Sequence, residues 1–143
     1  MDITLHYLAV LVAAIASMVV GFLWYGPLFG KKWMGMMGMT EADINAAKQN
    51  KGGMGKSYVI AFIGSLVTAY VLAHIITMAR MAGVSSGVSG GITSAFWVWL
   101  GFFATTALGG VLWERKSWSL YFLNTIHQLV MLLAMGAILA AWQ

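Results

Sequence analysis

Long apolar stretches alternate with short polar ones along this chain. No charged residue lies between Asp2 and Lys31, between Lys56 and Arg80, between Arg80 and Glu114, or after Lys116. Each interval exceeds the roughly 20 residues that carry a helix across a bilayer. The pattern predicts an all-α polytopic membrane protein. Four transmembrane helices at about 3–26, 57–80, 91–114 and 118–142 form one bundle, and the chain is a single membrane domain over 1–143. Between the first two spans, Thr40 followed by Asp43 has the spacing of a capping box. Lys48 and Lys51 suit a helix C-terminus and Gly52 a stop, so a short interfacial helix is expected at about 41–50. The small, polar AGVSSGVSGG between the second and third spans reads as a flexible connection.

Composition agrees with the pattern. Hydrophobic residues make up 61% of the chain and charged residues 8%, where a soluble domain carries about 25% charged residues. The first span lacks a basic start and ends on bulky WYGPLFGKKW rather than a small-residue cleavage site, so it reads as retained. With no cysteine, disulfides and thiolate metal sites are excluded.

Charge sets orientation rather than a nucleic-acid surface. Lys31, Lys32, Lys48, Lys51 and Lys56 lie in or flank the first connection, and Arg115 and Lys116 lie in the third. The positive-inside rule puts both connections in the cytoplasm and both termini outside, as in an inner-membrane protein. Trp24, Tyr25, Trp33, Trp113 and Trp118 then form an aromatic belt at the inner interface.

Two motifs resemble chemistry that their context denies. GGMGKS, Gly52 to Ser57, looks like the end of a phosphate-binding loop, but Asn50 stands where that motif needs glycine and no strand precedes it. It reads as a glycine-rich turn. WMGMMGM, Trp33 to Met39, offers thioethers that suit Cu(I), yet it faces the reducing side, and an adaptable interfacial segment is the simpler reading.

Small residues recur at steps of four: Ala9, Ala13, Ser17 and Gly21 in the first span; Ala61, Ser65, Ala69, Ala73 and Thr77 in the second; Gly101, Thr105 and Gly109 in the third. Lipid gives no hydrophobic drive for helix association, so such ridges serve close backbone approach. A cavity lined by small residues is the alternative. Gly21-Phe-Leu-Trp24 also echoes Gly110-Val-Leu-Trp113, which would fit a parallel duplication of helix pairs.

The polar residues of the last span carry the candidate site. Tyr121, Asn124 and Gln128 share one helical face, and His127 lies beside it. From an inner end near Trp118, His127 stands about 13 Å deep, near the midplane. Polar groups at that depth are costly unless paired. Ser17, Thr68 and Tyr70 are candidate partners. The cluster is either a ligand or proton site or an interhelical clamp. His6 and His74, both toward the outer side, are weak candidates for a bis-histidine haem or metal pair. Glu114 beside Arg115 and Lys116 reads as a surface ion pair.

WYGPLFGKKWM after the first span, GVLWERKSWSL at the third turn and LNTIHQLVMLLAMGAILAAW in the last span together resemble the domain of unknown function 1761 family, small bacterial four-span membrane proteins. The resemblance covers nearly the whole chain. Asn124, His127 and Trp113-Glu114-Arg115 stand at positions that look like part of the family pattern. It implies a fold and a membrane location but no chemistry.

The expectation is a non-enzymatic membrane protein with no cofactor, embedded in the lipid bilayer as a homo-oligomer. It binds or moves a small solute, lipid or proton through Asn124, His127, Gln128 and Tyr121. The alternatives are an accessory subunit of an unidentified membrane partner and a haem or quinone protein using His6 and His74. Paired carboxylates and nucleophile–base spacings that would mark an enzyme are missing from the spans.

Overall fold

Helix α1 covers Tyr7–Leu23 and continues without a break as a π-helical turn, Trp24–Leu28. Pro27 explains the widening. A proline inside a helix has no N–H to donate and its ring presses on the carbonyl four residues back. A π turn relieves that overlap by bonding one residue further on: the Phe29 N–H reaches Trp24 O, five residues back, at 2.9 Å. Helix α2, Gly30–Met36, follows at once. A Cβ at position 30 would stand 2.7 Å from the Tyr25 carbonyl oxygen, so this corner requires Gly30.

The computed structural model describes residues 3–143, leaving aside the side chain of Lys51; Asp2, which bounds the first uncharged interval, lies outside the described residues. Helix α3 spans Glu41–Gln49 and begins on the expected capping box. The Asp43 N–H donates to Thr40 Oγ1 at 3.2 Å and the Thr40 N–H donates to Asp43 Oδ2 at 2.9 Å. The hydrogen bonds from the Thr40 backbone and side chain hold the Asp43 carboxyl below the usual carboxylate range.

Two sequence expectations need correcting. GGMGKS is not a turn. The chain breaks at Asn50, whose side chain accepts the Gly53 N–H at 3.1 Å, and α4 runs unbroken over Lys51–Met81. The segment AGVSSGVSGG is shorter as a connection than its composition implied: Gly87 already starts α5, Gly87–Val98. Both segments are glycine-rich, but capping by Asn50 and packing of Gly90 and Gly91 against neighbours outweigh the glycine penalty of about 1 kcal/mol per residue.

Helix α5 passes into a second π-helical segment, Trp99–Ala104, then a short α6, Leu108–Leu112, and α7 covers Trp118–Ala141. Between α6 and α7 the backbone reverses with Arg115 at φ 57°, a left-handed conformation unusual for a side-chain-bearing residue. The Ser117 side chain caps α7 by accepting the Leu120 N–H at 3.1 Å.

Among the described residues, four helical stretches are long and apolar enough to cross a membrane: Tyr7–Leu28, Gly52–Met81, Gly87–Leu112 and Trp118–Ala141. Large apolar side chains such as Ile15, Val19, Ile63, Val67 and Phe102 point outward, as a bilayer permits and water would not. Helix α7 is the hub. It packs against α5, α1 and, more lightly, α4, while α1 also packs on α4. The core is thin and built from small groups, with Ala9, Ala13, Ala69, Ala73 and Ala95 buried beside Leu72, Leu132 and Met135.

The first ridge faces this core, with Ala9, Ala13 and Ser17 buried and a Cβ added to Gly21 meeting His127 Nε2 at 3.5 Å. The second turns inward along its length: Ala61 is exposed, Ser65 half-buried, and Ala69, Ala73 and Thr77 buried. The third ridge is a correction. Gly101 and Thr105 are exposed, and a Cβ on Gly109 would come no nearer than 3.9 Å to Trp113. The close crossing of the third span lies elsewhere, at Gly91 and Ala95 against Gly136 and Ala140 of α7. A Cβ at Gly136 would stand 2.5 Å from the Gly91 carbonyl oxygen and 2.9 Å from Ala95 Cβ. The duplication echo gains no structural counterpart: Trp24 is half-buried and bonded to α7, whereas Trp113 is exposed.

Candidate functional site

The π turn at Pro27 aims two consecutive aromatic residues at α7. The Trp24 indole N–H donates to Leu123 O at 3.1 Å, and the Tyr25 hydroxyl donates to Asn124 Oδ1 at 2.7 Å. From the opposite side, at the start of the second π segment, the Trp99 indole N–H donates to Thr125 O at 2.7 Å. The end of that segment is tied as well, since the Tyr121 hydroxyl donates to Ala104 O at 2.8 Å. Two indoles and two tyrosines thus hold residues 121–125 of α7 between the first and third spans. Bilayer hydrocarbon offers no water to substitute for these bonds, so each polar group needs a protein partner.

This arrangement divides the predicted site. Tyr121, Asn124 and Gln128 line a cleft of about 300 Å³ that also contains Thr106, Gly110, Glu114 and Lys116. His127 faces a different cavity of about 440 Å³ between α1, α4 and α7, lined by Ser17, Met18, Gly21, Tyr25, Tyr58, Ala61, Ser65 and Met131 among others. A single helix of 3.6 residues per turn rotates its side chains by about 100° per residue, so neighbours His127 and Gln128 open onto different spaces.

Within the cluster the bonding is unequal. Asn124 and Tyr121 are hydrogen-bonded across the bundle. His127 Nε2 and Gln128 Oε1 are buried with no hydrogen-bond partner among the described residues. The His127 ring lies 4.8 Å from the Tyr25 ring and 6.0 Å from the Trp24 ring, centroid to centroid.

Several expected partnerships are replaced. Ser17 Oγ donates to Ala14 O within its own helix at 2.9 Å, though it lines the His127 cavity. Thr68 donates to Gly64 O, and exposed Tyr70 stacks edge-on against His74 at 4.5 Å. The partner of Asn124 is Tyr25, assigned from sequence to the interface belt. Trp24 likewise bonds inward, to Leu123 O, while Trp113 and Trp118 are exposed and Trp33 packs on Tyr25 at 5.4 Å. His74 Nδ1 lies 2.9 Å from Tyr70 O and His6 is exposed at the start of α1. Among the described residues no hydrogen bond or ring contact joins the two. Glu114 and Lys116 do form an ion pair, at 3.0 Å and largely exposed.

Trp99 and the Gly91–Gly136 crossing escaped sequence reasoning. A tryptophan in mid-span was itself a clue, since a buried indole N–H seeks an acceptor. Gly91-xxx-Ala95 and Gly136-xxx-Ala140 carry the small-xxx-small spacing of close helix pairs.

The fold and this buried polar hub define a multi-pass, all-α membrane protein in which one helix is gripped by aromatic side chains from two others. The chain matches the family model described as Protein of unknown function (DUF1761) over residues 8–140, and it belongs to that family. Comparison with curated proteins and with solved structures returned no match.

Proposed function

We propose that this is a small-molecule-binding membrane protein. Its ligand is an amphipathic molecule drawn from the bilayer, with an apolar body and one hydrogen-bonding head. The observation that carries this reading is His127 Nε2, buried and unpartnered on the wall of a cavity otherwise lined largely by apolar side chains. Leaving such an atom unsatisfied costs about 1–3 kcal/mol, and a ligand head supplies the missing partner. A cavity of about 440 Å³ falls within the roughly 300–1,000 Å³ of small-molecule pockets. In this reading Tyr121 and Asn124 hold the helix in place and His127 meets the ligand. The lysine-rich connections face the cytoplasm, as the positive-inside rule directs.

Native mass spectrometry of protein purified in mild detergent tests the proposal. The expected result is a stoichiometric extra mass on the wild-type protein. Two unlike changes should remove it: His127→Ala, which deletes the polar contact, and Ala61→Trp, which fills the cavity. Ile63→Trp, on the exposed side of α4, should retain it. A wild-type protein carrying only variable lipid, or a mass that survives both His127→Ala and Ala61→Trp, would overturn the reading.

A further inference from the structure

The second unpartnered atom belongs to a different space. Gln128 Oε1 is buried without a hydrogen bond in the cleft whose outer end carries Glu114 and Lys116. That cleft runs from the turn between α6 and α7 to a depth of about 15 Å along α7, counted from Trp118 at 1.5 Å per residue. Its polar groups are Thr106, Tyr121, Asn124 and Gln128, and its mouth holds the exposed ion pair. Glu114 and Lys116 neutralise one another at 3.0 Å, so the charges that line the mouth favour neither cations nor anions; Arg115, exposed on the same turn, is not among the residues lining the cleft. The floor offers a vacant acceptor on Gln128 and, with Asn124 Oδ1 taken by Tyr25, the Asn124 amide as a donor. These features suit a small uncharged or zwitterionic solute bearing an N–H or O–H donor.

The two cavities meet at one hydrogen bond. Tyr25 lines the His127 cavity, Asn124 lines the cleft, and the bond between them is 2.7 Å long. We infer that the cleft beneath the Glu114–Lys116 turn is a second binding site, an aqueous vestibule for a small polar solute, and that the Tyr25–Asn124 hydrogen bond is the wall separating it from the His127 cavity. The vestibule stands on its own; the role of the wall rests on the ligand reading of the His127 cavity.

The chain contains no cysteine, so single cysteines report accessibility without a background. Gln128→Cys and Val111→Cys line the cleft, Met131→Cys lines the His127 cavity, and Leu132→Cys is a buried control. Each is treated in sealed vesicles, from the side of the α6–α7 turn, with two membrane-impermeant methanethiosulfonates, one carrying trimethylammonium and one carrying sulfonate. Both reagents should modify Gln128→Cys and Val111→Cys at similar rates and leave Leu132→Cys untouched. Met131→Cys should resist both reagents while Tyr25 is present. It should react at least about tenfold faster once Tyr25→Phe is added, the change expected for roughly one lost hydrogen bond. If Gln128→Cys does not assemble, Val111→Cys alone reports the vestibule.

Failure of both cleft cysteines to react overturns the vestibule. Reaction with one charge of reagent alone overturns the uncharged or zwitterionic class. Reaction of Met131→Cys with Tyr25 intact, or none after Tyr25→Phe, overturns the wall. None of these outcomes depends on whether the purified protein carries a bilayer-derived mass, so this inference and the ligand reading fail separately.

Discussion

Adding one methyl group to α7, by Gly136→Ala, tests the geometry that holds the third and fourth spans together. The new Cβ would lie 2.5 Å from the Gly91 carbonyl oxygen, 2.9 Å from Ala95 Cβ and 3.1 Å from the Gly91 carbonyl carbon. An ordinary carbon contact is about 3.5 Å, so α5 and α7 must part by roughly 1 Å. A gap of that size forfeits a quarter to a half of the dispersion energy of each atom pair it opens, and overpacking of this kind costs about 1–3 kcal/mol. The opposing change, Gly91→Ala, collides with Gly136 and Ala140 and should cost as much. The two should not add: once either methyl has parted the helices, the second finds room, and a coupling energy of about 0.5–3 kcal/mol is expected. Gly101→Ala is the control, because nothing lies within 4 Å of a Cβ there. Thermal unfolding in detergent, with the double variant completing the cycle, compares these four variants with the wild type. Unchanged stability in Gly136→Ala, full additivity in the double variant, or an equal loss in Gly101→Ala would refute the crossing as described.

Trp99→Phe keeps an aromatic ring and removes the N–H that reaches Thr125 O. It should cost about 0.5–1.5 kcal/mol in the same assay, whereas Trp97→Phe, at an exposed ring, should cost nearly nothing; equal effects would sink the clamp. Arg115 holds φ 57°, a conformation that costs a side-chain-bearing residue about 1–2 kcal/mol and glycine little. Arg115→Gly should therefore leave the melting temperature unchanged or raised, and Arg115→Val should lower it; the reverse order would contradict that backbone. The Asp43 carboxyl is held below its ordinary range by the Thr40 hydrogen bonds. Its contribution to the start of α3 is thus present above the unfolded value of about 4 and lost as pH falls through the folded value. Hydrogen exchange should show the Thr40 amide, which donates to that carboxylate, losing protection in acid, and Asp43→Ala should abolish that pH dependence; a dependence that persists in the variant would assign it to another group.

Asn124 and His127 show how far the sequence reaches into the candidate site. Their presence in an apolar span was enough to mark them, because hydrocarbon makes any polar side chain conspicuous. Their roles were not legible. The helical period puts Tyr121, Asn124 and Gln128 on one face, yet period says nothing about what stands opposite. Tyr25 illustrates the difficulty: at the end of a span it has the composition of an interface residue, and it turns inward only because the π turn at Pro27 re-aims it. The small-residue ridges divide similarly. Ala9, Ala13 and Ser17 are buried as their spacing implied, while Gly101 and Thr105 have the same spacing and lie exposed, and Gly109 is only half-buried. In lipid both faces of a helix are apolar, so hydropathy cannot say which one packs.

The sequence alone determined the class and the membrane spans. An uncharged run longer than about 20 residues has one stable form in a bilayer, the helix that satisfies its own backbone, and the capping box of α3 is equally local. The tertiary structure decided the rest: that α7 is the hub, that Gly91 and Gly136 make the close crossing, and that Trp24, Tyr25 and Trp99 grip residues 123–125. It also decided that His127 and Gln128 face two separate cavities. Those outcomes depend on which helix faces are brought together, and residues as far apart as Tyr25 and Asn124 meet only when the whole bundle has assembled.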